Sequence, residues 1–192
     1  MQQDLPVFFT NLSAMAGNFN LQNDSLNNDL IRLQPLHIDD FEMLYLVASD
    51  PLIWEVHPSR DRYKREVFRE YFDGAVSSGS AFLVFDQLSR ELIGCSRYYN
   101  LQPDDSSVAI GYTFLARKYW GGEYNKSLKR LMLNYAFQFV NTVVFHIGAT
   151  NYRSQKAIEK LGAIKSKEID FESGGIMQPH FEYEISKADY HK

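Results

Sequence analysis

The chain of 192 residues is 45% hydrophobic and 15% aromatic, with a formal net charge of −4 and one cysteine. That length and apolar content support one substantial core with an appendage and exclude a small disulfide-stapled scaffold. The acidic balance argues against a general nucleic-acid binder and favours basic substrates. Neither a membrane-length apolar run nor a basic start leading into an apolar block is present, so a cytoplasmic protein without membrane contact is expected.

Residues 1–29 are polar and Asn-rich around QNDSLNND, with LPVFF the one block able to pack, and they read as an N-terminal extension that could lie over a domain of residues 30–192. LIRLQPL alternates as a short strand, and HIDD offers acidic caps to a helix FEMLYLVAS that ends where Asp50-Pro51 forbids continuation. Beyond the loop WEVHPSRDR, the spacing of Val67, Phe68, Tyr71, Phe72 and Ala75 predicts an amphipathic helix. SAFLVFD, ELIGCSRYYNL and VAIGYTFLA, separated by turns at QLSR and QPDDSS, read as a three-strand antiparallel meander. Cys95 lies in the second of these with no partner and is expected to fill core space. The stretch WGGEYNKSLKRLML opens a helix whose buried face should hold Leu128, Leu131, Met132, Tyr135, Ala136 and Phe139. NTVVFHIGAT then reads as a buried strand and RSQKAIEKLGA as a helix stopped by Gly162, an order that implies a parallel connection. AIKSKEIDFE and IMQPHFEYEIS, around a Gly-Gly turn, make a last hairpin.

A long helix entered from a strand through a glycine-bearing loop presents free N–H groups and the positive end of its dipole to anions, with phosphate the natural guest. Arg117, Lys118, Lys126, Lys129 and Arg130 stand there against one acid, Glu123. The competing reading is a solvated basic face, with Gly121 and Gly122 forming only a tight turn.

Three ordered motifs carry a resemblance over about residues 30–186: LIRLQPLHIDDFEMLYLVASDP, VAIGYTFLARKYWGG and NYRSQKAIEKLGA. Together the sequence resembles a GCN5-related N-acetyltransferase (GNAT), particularly the branch of ribosomal-protein N-terminal acetyltransferases. The resemblance implies an α/β (α+β) fold: a mixed, mostly antiparallel central sheet flanked by helices, with a parallel pair at the cofactor cleft. It implies acetyl-CoA as co-substrate, no metal, and direct attack by a primary amine in a ternary complex, the acceptor being a small molecule or a protein. On that resemblance Phe114, Leu115 and Ala116 pair with the pantetheine arm. The loop from Arg117 and Lys118 through Trp120, Gly121, Gly122, Glu123, Tyr124, Asn125 and Lys126 holds the pyrophosphate. Glu123 and Asn125 stand where the family has small residues, and Ile158 where many members have the tyrosine that protonates the leaving thiolate. Ser154 is therefore the candidate for a hydrogen bond to the CoA sulfur, and Asn151 for positioning pantetheine or the helix start, with plain helix capping as the alternative for both. These departures keep a second reading open, a non-catalytic binding or regulatory domain with a degenerate CoA site. A homodimer is also left open.

Acetyl transfer needs a neutral amine, so a base near the acceptor is expected, while a backbone N–H on VAIGYTFL can serve the oxyanion. Glu55 and His57, beside Trp54 in LIWEVHPSR, are the candidates for the base and acceptor pocket, although each alone reads as structural. Tyr98 and Tyr99 alternate across their strand, and Tyr98 is favoured to face the cleft. His146 could face it from the other side, against the commoner reading of a satisfied core histidine. The five histidines are scattered, without ligand spacing, so no metal is expected.

Overall fold

The computed structural model describes residues 18–57, 59–173 and 176–190. In chain order these form β1 (Ile31–Pro35), α1 (Phe41–Ala48), α2 (Arg65–Ser77), β2 (Ala81–Asp86), β3 (Leu92–Gln102), β4 (Ser107–Leu115), α3 (Tyr124–Ala136), β5 (Thr142–Gly148), α4 (Tyr152–Glu159), β6 (Ile164–Ser173), β7 (Ile176–Ser186) and a last turn α5 (Lys187–Tyr190). The strands make one sheet in the order β1-β2-β3-β4-β5-β7-β6. Strands joined by tight turns run antiparallel; the α3 crossover is long enough to bring β5 back parallel to β4, as the sequence pattern implies. The sheet is thus mixed and mostly antiparallel, with helices on both faces. The turn between β6 and β7 lies outside the described residues.

Each sheet face carries its own core. Phe41, Leu44, Phe68, Phe72 and Ala75 of α1 and α2 bury against Leu83, Cys95 and Phe114. On the other face Leu128, Met132, Leu133 and Ala136 of α3 bury against Ile93, Tyr98, Ile110 and Val143. Leu131 and Phe139 are only partly buried. Leu133 and, unexpectedly, Lys129 take the inward positions, because the packed stripe is rotated from the one read off the sequence. Residues 18–29 lie on this second core: Phe19 stacks on Phe139 with ring centroids 4.8 Å apart, and Tyr135 donates to the Asn20 carbonyl at 2.9 Å. LPVFF lies outside the described residues.

Two backbone features shape the middle of the sheet. Between the pairs Cys95↔Phe114 and Arg97↔Gly111, β4 has one more residue than β3, and Tyr112 takes up the bulge at φ 52°. Its carbonyl is pinned by the Tyr71 hydroxyl at 2.6 Å. At Gly94 an added Cβ would lie 2.0 Å from the Phe114 carbonyl oxygen. Backbone cannot swing aside as a side chain can, so Gly94→Ala is expected to cost about 3 kcal/mol. A thermal midpoint equal to wild type would contradict this close approach.

Candidate functional site

β4 and β5 pair only from Ser107 to Ala109 against Thr142 to Val144. Beyond Ala109 the two strands part, leaving the β5-side edge of Ile110–Leu115 without a strand partner among the described residues. The loop 116–123 then leads from β4 into α3. Gly121 sits at φ +73°, a conformation that requires glycine, and Gly122 has open space where a Cβ would be. Glu123 is the N-cap residue without a side-chain capping bond, and the first intrahelical bond runs from Ser127 N–H to its carbonyl. The N–H groups of Tyr124, Asn125 and Lys126 therefore have no protein acceptor among the described residues.

The loop's side chains are largely committed. Arg117 pairs with Asp50 at 2.5 Å, and Lys118 pairs with Glu91, which also accepts from the Tyr119 hydroxyl. Hydrogen bonding from these cations, Arg117 and Lys118 respectively, holds both carboxyls below their ordinary range. Lys126 reaches back to Glu123 at 3.0 Å and so masks the acid next to the helix start. The Tyr124 hydroxyl donates to Asp86 at 2.8 Å. Trp120 packs against both cores, its indole N–H donates to the Leu115 carbonyl at 2.8 Å, and Arg153 of α4 lies 3.8 Å over its ring. Ala116 N–H donates to the Ile93 carbonyl at 2.7 Å. A groove of about 400 Å³ beside the first turns of α3 is lined by Asn28, Lys126, Ser127, Arg130 and Asn134.

Lys129 departs from the exposed basic patch. It is 4% exposed, donates to Thr113 Oγ1 at 2.6 Å, and lies 5.8 Å from the Phe145 ring, between the diverging strands. Thr113 in turn shares a hydrogen bond with Ser96 at 2.7 Å. Burial pushes the lysine amine down to about 7. Its spacing carried the signal: three and four residues before Met132 and Leu133, it belongs to their face.

On the α1/α2 face the rings of Trp54, Phe114, Tyr71, Tyr112, Tyr99, His146, Phe171 and His180 touch in series, with successive centroids 5.0 to 6.4 Å apart. Arg62 and Arg97 lie over rings of this belt. Farther along it His146 Nδ1 meets the Tyr99 hydroxyl at 2.7 Å and Nε2 meets Glu182 at 3.0 Å, with Lys167 on the other carboxylate oxygen. Burial opposes the Glu182 charge, but the Lys167 and His146 hydrogen bonds outweigh it and keep the carboxyl below its usual range. His146 and Glu182 also line an open groove of about 370 Å³ with Asn100, Gln102, Ala109 and Val144.

Of the expected site residues, Tyr98, His57, Arg117 and Lys118 sit otherwise than the sequence reading has them. Tyr98 is fully buried, and its hydroxyl donates to the Met132 carbonyl, so it cannot face the cleft; Tyr99 takes the open side. Arg117 and Lys118 are held by carboxylates rather than standing free for an anion. Asn151 caps α4 by accepting from Ser154 N–H at 3.2 Å, which leaves the Ser154 hydroxyl without a hydrogen bond among the described residues. Ile158 is core. Glu55 is exposed. His57 is drawn inward, its imidazole pushed down to about 3 by burial and then by Arg62 and His180, so it is not poised as a base near neutrality. Cys95 is buried with its thiol pushed up to about 11 by desolvation, inert as expected of a core filler. Thr113, Arg62 and Arg97 are not marked by sequence as site groups, and Lys129 is marked only as one of the basic patch around the start of α3.

The divergent parallel pair and the loop-to-helix entry can be compared with known proteins. Searching curated proteins finds no match. Among solved structures, a GCN5-related N-acetyltransferase from Brucella melitensis superposes with a TM-score of 0.74 at 16% identity, covering 91% of this chain and 86% of that one. Spermidine N-acetyltransferase from Vibrio cholerae, solved with CoA and spermine, gives 0.67 at 16% identity, covering 86% and 100%. Mycobacterium smegmatis RimJ, in complex with CoA-disulfide, gives 0.67 at 15% identity over 84% of each chain. These identities establish likeness of fold. The model of the acetyltransferase (GNAT) domain matches residues 31–164, from the first strand to the start of β6, and the chain therefore belongs to the GNAT acetyltransferase family.

Proposed function

We propose that the protein is an acetyl-CoA-dependent N-acetyltransferase that acts on a primary amine by direct attack in a ternary complex. The observation that carries this reading is the stretch of β4 that no strand covers among the described residues where the sheet splits, leading straight to three N–H groups at the start of α3 that have no protein acceptor among them. An extended amide-bearing arm can add to that edge, and a diphosphate can accept from those N–H groups. The fit is partial: Glu123 adds a carboxylate there, neutralised by Lys126. In the groove beside α3, Arg130 supplies a cation for the nucleotide phosphate. The ammonium gives its proton to the Tyr99 oxygen as Tyr99 passes its own to His146 Nδ1, whose ring is held by Glu182 at Nε2; the freed nitrogen attacks the thioester carbonyl, the C–N bond forms, the C–S bond breaks, and the second proton of that nitrogen goes to the departing thiolate. A backbone N–H near the Tyr112 bulge stabilises the oxyanion, and the Ser154 hydroxyl faces the departing sulfur.

A second reading, a binding domain with a degenerate donor site, is favoured by Trp120 holding the Leu115 carbonyl and by the committed loop cations. Thiol release from acetyl-CoA with a panel of primary amines separates the two. Turnover by wild type with an affinity changed about threefold or less in Glu123→Gln supports the enzyme. No binding in wild type and binding restored in Glu123→Gln supports the eroded site.

A further inference from the structure

Resting on the acetyltransferase reading, we infer that the acceptor is a small amine carrying an anionic group, carboxylate or phosphate, which is seated among Arg62, His57 and Arg97. His57 Nδ1 accepts the Ser59 N–H at 2.9 Å, so the ring proton belongs on Nε2. That Nε2–H lies 3.3 Å from Arg62 Nη1, donor against donor. Arg62 Nη2 donates to the Ser59 hydroxyl at 3.2 Å, and its guanidinium lies 5.3 Å over Trp54 and 4.9 Å over Tyr71. Arg97 is 9% exposed; Nη1 donates to the Gly74 carbonyl at 2.8 Å, its plane lies 3.4 Å over Tyr112, and its buried Nε has no partner.

Neither arginine pairs with a carboxylate among the described residues. Burial lowers the Arg62 affinity for its proton, and Arg97 lowers it further, so the two cations feel each other. Half-buried donors facing donors, and a buried donor without a partner, are costly unless a group that only accepts lies beside them. A carboxylate or phosphate has that chemistry, and it matches a guanidinium fork better than any neutral group.

Farther along the belt the character changes. Across the Tyr112 and Tyr99 rings, His146, Glu182, Glu184 and Asp105 line the groove with one lysine, Lys167, so three carboxylates stand there against a single fixed cation. An ammonium suits that part and an anion the arginine part, so the site fits an amine with both charges. A polyamine would set a second ammonium against two guanidinium groups, at a Coulombic cost in a half-buried site.

The test is calorimetric binding of L-phenylalanine against L-phenylalaninamide, O-phosphoethanolamine against ethanolamine, and spermidine, with thiol release from acetyl-CoA followed in parallel. The anionic member of at least one pair is expected to bind tenfold or more tightly than its uncharged-tail partner, and which pair shows it distinguishes carboxylate from phosphate. Arg62→Gln should erase the preference and Arg62→Lys keep part of it, with the Arg62→Gln thermal midpoint unchanged or raised because a repulsion is relieved. Equal binding within both pairs, tighter binding of spermidine, or a preference untouched by Arg62→Gln overturns the inference. Turnover confined to ethanolamine or spermidine also overturns it while leaving the transferase reading standing. Anion-selective binding without thiol release supports the anion site and counts against the transferase reading alone.

Discussion

Lys129→Met is expected to stabilise the protein by about 2–4 kcal/mol near pH 6 and to lose that advantage as the pH approaches 10. Lys129 is enclosed by α3, β4 and β5, and its ammonium is pushed from 10.5 down to about 7 by desolvation. The sign follows from proton counts. Between pH 7 and 10.5 the unfolded chain holds a proton that the folded chain has released, so this group makes stability rise with pH through that window. Below 7 both states are protonated and the full penalty stands, roughly 3–5 kcal/mol at 1.36 kcal/mol per unit. Methionine removes the penalty and forfeits one hydrogen bond to Thr113, worth about 1 kcal/mol; Thr113 keeps Ser96. The expected rise in thermal midpoint is about 5–15 °C at pH 6. Thermal denaturation of both proteins at pH 6, 8 and 10 checks it, and a destabilised variant at pH 6 would mean the lysine is solvated.

His146→Ala is expected to slow thiol release about 10²- to 10³-fold, the usual range for losing a positioned acid–base group. Its two ring nitrogens are both engaged, by Tyr99 and Glu182, so the ring is fixed in orientation where it borders the groove. Tyr99→Phe removes the hydroxyl that relays the proton and should slow the same assay by a similar factor. Glu55→Gln, at an exposed position, should change the rate less than about threefold. If His146→Ala and Glu55→Gln behave alike while both retain wild-type thermal midpoints, the base lies elsewhere. The chemical step would then need another proton acceptor.

Local signals in the sequence were sufficient for most elements. The period of two in LIRLQPL, the three-and-four spacing around Phe68 and Phe72, and Gly162 at φ +95° each determine structure through neighbours in the chain. Phase was harder. Tyr98 and Tyr99 differ by one residue, and the bulge at Tyr112, with its register shift between Cys95 and Arg97, decides contacts that alternation alone cannot assign. Charge partners were hidden because they are distant in sequence: Asp50 for Arg117, Glu91 for Lys118, Glu182 for His146. The loop cations therefore looked free until tertiary contacts brought their carboxylates in. Arg62 follows a loop with no periodic pattern, and only folding brings it over Trp54 and Tyr71.

The most direct test of a donor site at the split strand is an NMR titration with acetyl-CoA that follows the backbone amides of Tyr124, Asn125 and Lys126. Saturable shifts at these three amides and along Phe114–Ala116, with micromolar affinity near −8 kcal/mol, are expected if the cofactor adds to β4 and its diphosphate caps α3. Shifts confined to other regions, or none with any acyl-CoA, would contradict a donor site there and leave the fold as a binding domain.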